Sequence, residues 1–165
     1  MQQRAFSLVE LSIVLVILGL LVGGVLSGQS LIRAAQLRGV ATEYQRYIAA
    51  TQSFRDKYFS LPGDMANATS FWTSLGGNGA NATCQNATTN GAATCNGDGN
   101  GIVSLVNSNG VFESYRYWQH LASAGLIEGN YNGKLGPTLG LNLPVSKISA
   151  ATFTVLPGGG YYAGD

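Results

Sequence analysis

The sequence predicts an α+β protein in which one long N-terminal helix packs on a small, loop-rich head with a short antiparallel sheet. Three observations support this prediction. Residues 6–32 form an apolar run with one charged side chain, and apolar residues then recur every three or four positions as far as Tyr58. Beyond about residue 60 the chain is rich in Asn, Thr, Ser, Ala and Gly. Its 165 residues suit one modest domain and a membrane anchor.

The first half of the long helix is apolar enough to span a membrane, although it contains Glu10. Fifteen Phe, Leu, Ile or Val residues lie between Phe6 and Leu26. Each favours insertion by about 0.3 to 0.6 kcal/mol, or roughly 5 to 9 kcal/mol together. A carboxylate costs about 2.5 to 3.5 kcal/mol even at a helix centre, so the apolar residues outweigh it. Arg4 predicts that the N-terminus stays cytoplasmic and that the rest of the chain crosses the membrane.

Two other interpretations of this segment are an ordinary secretory signal peptide and an uncleaved anchor in which Glu10 is incidental. The signal peptide fits poorly, because the apolar run exceeds the roughly 7 to 15 residues typical of such peptides. In addition, no small-x-small cleavage site precedes a polar segment. The uncleaved anchor remains an alternative to a functional role for the carboxylate.

The second half of the long helix is amphipathic and is predicted to end at Tyr58. Pro62 and Gly63 follow closely, and a Pro-Gly pair stops a helix and favours a turn. The two halves together predict one continuous helix from about Phe6 to Tyr58. The residues expected on its buried face are Leu37, Ala41, Tyr44, Ile48, Thr51, Phe54 and Tyr58.

The head is predicted to contain one further helix and a small sheet. The helix extends from about Glu113 to Ala124, with Gly125 as its C-terminal cap. Alternating residues predict a strand from about Lys147 to Leu156, and "NGIVSLV" and "LGLNLPV" are the other strand candidates. Three short strands are near the minimum for a sheet that can cover a helix.

The two cysteines, Cys84 and Cys95, bracket a short polar loop. In an oxidising compartment they would form a disulfide, which agrees with a head on the far side of the membrane. Closing this loop of about ten residues would stabilise the fold by about 2 to 3 kcal/mol. A metal site is the other interpretation of the pair, but no further Cys or His stands nearby.

Residues 96–107 partly match a calcium-binding loop. Oxygen-bearing side chains stand at alternate positions, and Ile102 would supply a backbone carbonyl. The twelfth position is Asn107 instead of a bidentate Glu, and Glu113 is out of register. A low-affinity calcium site and an Asn/Gly-rich turn therefore both remain open. The side-chain ligands of the calcium interpretation are Asn96, Asp98 and Asn100.

The composition argues against nucleic-acid binding and against catalysis. The nine Lys and Arg residues are scattered among eight acidic residues, and no basic patch is present in the sequence. His120 stands in "WQHLAS" without a neighbouring nucleophile or acid, so we expect it to pack or to lie on the surface. We therefore expect a protein that is not an enzyme.

The N-terminus, "RA" followed by "FSLVEL" and a long apolar run, resembles the class III signal peptide of the type IV pilin family, which includes the pseudopilins of type II secretion. The resemblance implies cleavage between Ala5 and Phe6 by a prepilin peptidase and methylation of the new N-terminus. It divides the chain into a leader (1–5), a transmembrane or filament-core helix (6–32) and a pilin head (33–165, with 33–58 helical). Ala5 departs from the Gly that is usual before the cut.

The same resemblance implies a structural subunit that polymerises with copies of itself through the N-terminal helix. Glu10, the fifth residue after the cut, would neutralise the amino group of Phe6 in a neighbouring subunit. The precursor would lie in the inner membrane with its assembly machinery, and the product in a cell-surface filament. The alternatives are a periplasmic pseudopilus of a type II secretion system and a non-polymerising bitopic membrane protein with a ligand-binding head.

Four glycines interrupt the apolar helix, which weakens it by about 1 kcal/mol for each Gly relative to Ala. Their spacing favours close packing against other helices. They would also allow local unwinding once the helix leaves lipid, because backbone groups can be satisfied inside protein but not in hydrocarbon. These residues are Gly19, Gly23, Gly24 and Gly28.

Overall fold

The computed structural model describes residues 7–73, 93–105, 112–134, 136–148 and 151–156. Its helices are α1 (Leu8–Tyr58), a short 3-10 turn (Ala68–Ser70) and α2 (Glu113–Ser123). Both predicted helices are confirmed: α1 ends at the predicted residue, and α2 ends one residue earlier than expected. The chain divides into two compact units, Met1–Ala41 and Thr42–Asp165.

The first turn of α1 is closed by Ser7 and Glu10. The Ser7 hydroxyl accepts the Val9 backbone N–H at 3.4 Å, and Glu10 Oε2 accepts the Ser7 backbone N–H at 2.9 Å. This reciprocal arrangement is a capping box, which satisfies backbone donors that a helix start leaves without partners. Glu10 therefore has a local structural role at the start of α1, which its place in an apolar run did not predict.

In the first unit, every large aliphatic residue of α1 from Leu8 to Leu37 is exposed. Within the described residues, α1 is the one helix long and apolar enough to cross a membrane, judged by length and composition. The helix is unbroken through its four glycines.

In the second unit, α1 buries a narrower face than the sequence predicted. Tyr47, Ala50 and Phe54 are buried, whereas Tyr44 and Ile48, which we expected to be buried, are exposed. The aromatic rings explain the difference. Tyr47 meets Trp118 of α2 edge to face, with 5.0 Å between ring centroids, and it meets Phe153 at the same distance.

Helix α2 is buried on all sides from Glu113 to Leu121, including its polar residues. Trp118 and Leu121 belong to the same apolar core as Phe54. Gly125 follows the helix with φ +71° and donates its backbone N–H to Ala122, which confirms it as the C-terminal cap.

The described residues contain no strand, and isolated bridges join Leu139 with Leu143 and Val145 with Thr152. "LGLNLPV" therefore forms a turn rather than a strand, and residues 100–105 of "NGIVSLV" are irregular. The buried Asn142 explains the turn, because its Oδ1 accepts the Thr138 N–H and replaces a strand partner. Residues 149 and 150 lie outside the described part, so the Lys147–Leu156 strand and the sheet stay predictions.

Candidate functional site

Three carboxylates from separate segments converge in the head. Asp64 follows the Pro62-Gly63 turn after α1, Asp98 lies in an irregular loop, and Glu113 begins α2. One oxygen from each lies within 4.8 Å of the others. Gly63 allows this approach: it has φ +86°, and a Cβ there would lie 2.4 Å from the Glu113 carbonyl oxygen.

Two of these carboxylates bind backbone N–H groups of the loop. Asp64 accepts the N–H of Asn100 at 3.0 Å and that of Gly101 at 2.9 Å. Glu113 accepts the N–H of Asp98 at 3.0 Å and that of Ser104 at 2.9 Å. Charged acceptors make stronger hydrogen bonds than neutral ones, so the two acids hold the loop in place.

The predicted calcium ligands are only partly brought together. Asp98 joins the acidic cluster, but the side-chain oxygens of Asn96 and Asn100 accept the N–H groups of Thr69 and Ile102. The cluster instead adds Asp64 and Glu113. The spacing of a twelve-residue calcium loop excluded Glu113 as a ligand, and Asp64 is distant in sequence from that loop. A pattern based on one contiguous loop therefore misses both residues.

Burial raises the pKa of Asp64, and the N–H of Gly101 opposes this while the Asp98 carboxyl raises the pKa further. Because the folded pKa lies above the unfolded one, ionised Asp64 lowers the stability of the fold. That cost is present above the raised pKa and disappears as the pH falls through it. A cation beside the carboxylates would favour the ionised form, and oxygen donors suit calcium.

His120 is fully buried in α2 and links three segments. Its Nδ1 accepts the Gly63 N–H at 2.9 Å, so the neutral ring carries its proton on Nε2, which lies 3.0 Å from Thr94 Oγ1. The Thr94 hydroxyl donates to Gln119 Oε1 at 2.9 Å, and Gln119 also accepts Arg116. This arrangement agrees with the packing role expected for His120.

Two buried bases in α2 have lowered pKa values. Burial, and after it the nearby positive charge of Arg116, lower the pKa of His120 to about 3, while a hydrogen bond with the Cys95 backbone opposes the shift. Burial also lowers the pKa of Arg116 to about 10. Arg116 therefore stays protonated at neutral pH and His120 stays neutral.

An open polar cavity of about 550 Å³ lies beside the acidic cluster. Its size is within the range of small-molecule sites. The lining residues are Gln52, Arg55, Asp56, Phe59, Ser60, Leu61, Asp64, Gly99 and Gly101.

Several predicted site residues cannot be placed. Ala5, Phe6 and Cys84 lie outside the described residues. Cys95 is buried in the head, but its predicted disulfide with Cys84 stays a prediction. The described N-terminal segment begins at Ser7, two residues after the predicted cleavage position.

Residues 1–26 match the family model of the prokaryotic N-terminal methylation motif. The motif and the long apolar helix that begins within it fit the type IV pilin-like family, whose members are generally structural rather than catalytic. They support a pilin-like precursor with a membrane-inserted helix. The match does not extend to the head. The chain matches no curated protein and no solved structure.

We predict that calcium binds the acidic cluster and raises the unfolding temperature of the full-length chain in detergent. Asp98→Asn should weaken the calcium-dependent heat in calorimetry, because it removes one of three carboxylates. Glu128→Gln is the matched control, since Glu128 is an exposed acid that lies outside the cluster and pairs with Arg46. Absence of a calcium-dependent heat in the unsubstituted chain would contradict the prediction and would show that the carboxylates bind only backbone N–H groups of the loop.

We predict that His120 makes the fold less stable as the pH falls from about 6.5 to about 3. The unfolded chain binds a proton on this side chain over that range and the folded chain does not, so the slope reaches about 1.4 kcal/mol per pH unit. His120→Gln should flatten the slope measured by denaturant unfolding, because Gln keeps an acceptor and a donor without titrating. His120 is the sole histidine, so an equally steep slope in the variant would contradict this account.

Proposed function

We propose that this chain is a structural subunit of a type IV pilus-like filament. It is made as an inner-membrane precursor, is cleaved between Ala5 and Phe6 by a prepilin peptidase, and polymerises through the N-terminal part of α1. The observation that carries the proposal is the exposed apolar surface of α1, which begins within the methylation motif and continues beyond it. The inner-membrane assembly machinery and further copies of the chain are its partners.

The exposed apolar surface of α1 must be kept out of water in two successive environments, first the membrane and then the filament. Burying a Leu, Ile or Val side chain is worth about 1.5 to 3 kcal/mol, so the aliphatic residues from Leu8 to Leu37 strongly disfavour water. Lipid covers this surface in the precursor. In the filament, the same surface is covered by α1 helices of other copies.

Glu10 distinguishes these two environments. Its Oε2 already accepts the Ser7 N–H, which holds the carboxylate at the first turn of α1. Cleavage after Ala5 creates a new amino group on Phe6, and the amino group of a neighbouring copy can neutralise Glu10. A copy that docks in the wrong register leaves a buried charge without compensation, which costs several kcal/mol. Glu10 thereby sets the register of assembly.

The four glycines of α1 serve contacts outside their own unit. A Cβ placed on Gly19, Gly23, Gly24 or Gly28 would meet nothing within 4 Å. Close approach within the unit therefore does not explain them. In the filament they allow neighbouring helices to approach closely, or allow α1 to unwind locally where protein can satisfy its backbone.

The head faces an oxidising compartment in this account, and Cys84 pairs there with Cys95. The bond would stabilise a polar loop with few apolar residues by about 2 to 3 kcal/mol. This proposal agrees with the burial of Cys95.

A second candidate function is a bitopic membrane protein that binds a ligand through its head and does not polymerise. The 550 Å³ cavity beside the acidic cluster favours it. A pseudopilin of a type II secretion system is a third candidate and shares the assembly mechanism of α1. Electron microscopy of material sheared from cells separates the candidates, because only the first gives long surface filaments without overexpression.

We predict that Glu10→Ala inserts into the membrane normally but lowers the yield of sheared filaments by at least about tenfold. Loss of one partner of a buried charge pair costs more than the roughly 1.4 kcal/mol that corresponds to this factor. Ser12→Ala is the matched control, since it removes another polar side chain from the next turn of α1. Filament yields of Glu10→Ala equal to those of the control would refute the pairing.

A further inference from the structure

We propose that the open polar cavity beside the acidic cluster is a binding site for neutral oligosaccharides. The cavity lies within the second unit, where the end of α1 meets the loop that Asp64 and Glu113 hold in place. The inference goes beyond the proposed structural function and does not depend on polymerisation of the chain. The α1 residues that line the cavity are Gln52, Arg55, Asp56 and Phe59.

These four lining residues share one face of the last two turns of α1. They stand at positions i, i+3, i+4 and i+7, which lie on the same side of an α-helix. All four are exposed, whereas Phe54 in the same turns is fully buried in the core. The cavity therefore receives polar groups and one aromatic ring from a helix that is anchored on its other side.

Phe59 is exposed in an unusual backbone conformation. Its side chain is 93% exposed, and its φ of +54° is the one positive φ among the non-glycine residues that the structure describes. Its N–H donates to the Arg55 carbonyl at 2.8 Å and closes the last turn of α1. Glycine is usual at such a position, because a Cβ is strained there. Neither burial nor backbone preference accounts for a phenylalanine, and strain of this kind is typical of functional sites.

Arg55 and Asp56 bring charges of opposite sign to the cavity. Within the described residues, neither side chain forms a hydrogen bond or an ion pair. Asp64 is the other charged residue of the lining, and its oxygens already accept the N–H groups of Asn100 and Gly101. The cavity thus offers a ligand one charged donor and one charged acceptor, so it selects neither an anion nor a cation.

The loop that lines the cavity is ordered before a ligand arrives. Gly99 donates its N–H to the Asp64 carbonyl at 2.9 Å, and Gly101 donates to the Asp64 carboxylate at the same distance. A Cβ placed on Gly101 would meet nothing within 4 Å, so the loop leaves open space there. A site that is already ordered loses little conformational entropy when a ligand binds.

A neutral oligosaccharide matches this combination of groups. Each hydroxyl both donates and accepts, so a sugar can accept from Arg55 and donate to Asp56 in strong, charge-assisted hydrogen bonds. The C–H groups on one face of a sugar ring are weakly positive and pack on the negative face of an aromatic ring such as Phe59. The volume of about 550 Å³ suits a ligand of this size.

An amino acid or a short peptide is the competing occupant. Its carboxylate and ammonium groups would pair with Arg55 and Asp56, but this pairing makes no use of an aromatic ring. The exposed ring of Phe59 in a strained conformation therefore favours the sugar.

The test measures binding of the full-length chain to an array of immobilised neutral and acidic oligosaccharides. The chain is kept in a polyoxyethylene detergent, because a glucoside or maltoside detergent would compete for the cavity. We expect retention on a subset of the neutral oligosaccharides, and calorimetry with a free member of that subset gives the dissociation constant. Retention on acidic oligosaccharides alone, or none at all, would overturn the inference. A heat of binding for free dipeptides but not for oligosaccharides would also overturn it.

Phe59→Gly separates ligand binding from the structural role of this residue. The dissociation constant should rise by at least about tenfold, because the stacking surface is lost. The unfolding temperature should stay the same or rise, because Gly adopts a positive φ without strain. Tyr44→Ala is the matched control, since Tyr44 is an exposed aromatic residue of α1 outside the cavity, and it should leave the dissociation constant unchanged.

Asp56→Asn tests the polar part of the cavity. It keeps the shape of the side chain but removes a charged acceptor, so the dissociation constant should rise by about fivefold. Glu128→Gln, at an exposed acid outside the cavity, should have no effect. Unchanged dissociation constants in both Phe59→Gly and Asp56→Asn would place the sugar elsewhere and overturn the inference. None of these measurements requires filament assembly, so the inference and the proposed function are tested separately.

Discussion

The apolar surface on the first half of α1 is the constraint on which the account depends. Lipid and neighbouring helices can both remove its aliphatic side chains from water, so hydrophobicity alone does not choose between a membrane anchor and a filament core. In the proposed filament Glu10 makes this choice, because lipid offers it no positive charge and the new amino group of a processed neighbour would. Glu10 Oε2 also accepts the Ser7 N–H, and this hydrogen bond holds the carboxylate at the helix start before a neighbouring copy arrives.

The head relies on buried polar groups as much as on its apolar core. Glu113 and Asp64 fix the loop around residues 98–104, and His120 joins the turn after α1 to Thr94. Each such hydrogen bond contributes about 1 kcal/mol, and somewhat more where a carboxylate accepts it. A head with few regular elements can therefore keep one conformation.

Local patterns in the sequence predicted the helices well and the long-range contacts poorly. Pro62 and Gly63 mark the end of α1, and Gly125 marks the end of α2. These residues are informative because each sets the backbone conformation of its immediate neighbours. The buried face of α1 was misassigned at Tyr44 and Ile48, since rings from distant segments selected Tyr47 instead. The acidic cluster was missed for the same reason: its members come from three segments, and Glu113 at the start of α2 was the one local signal.

The N-terminal mass of chains in assembled material tests the central claim most directly. The proposed pairing requires a free amino group on Phe6, because that group would compensate Glu10 of the next copy. It therefore predicts that polymerised chains begin at Phe6, with the added mass of one methyl group. Filaments built from chains that still begin at Met1 would contradict it.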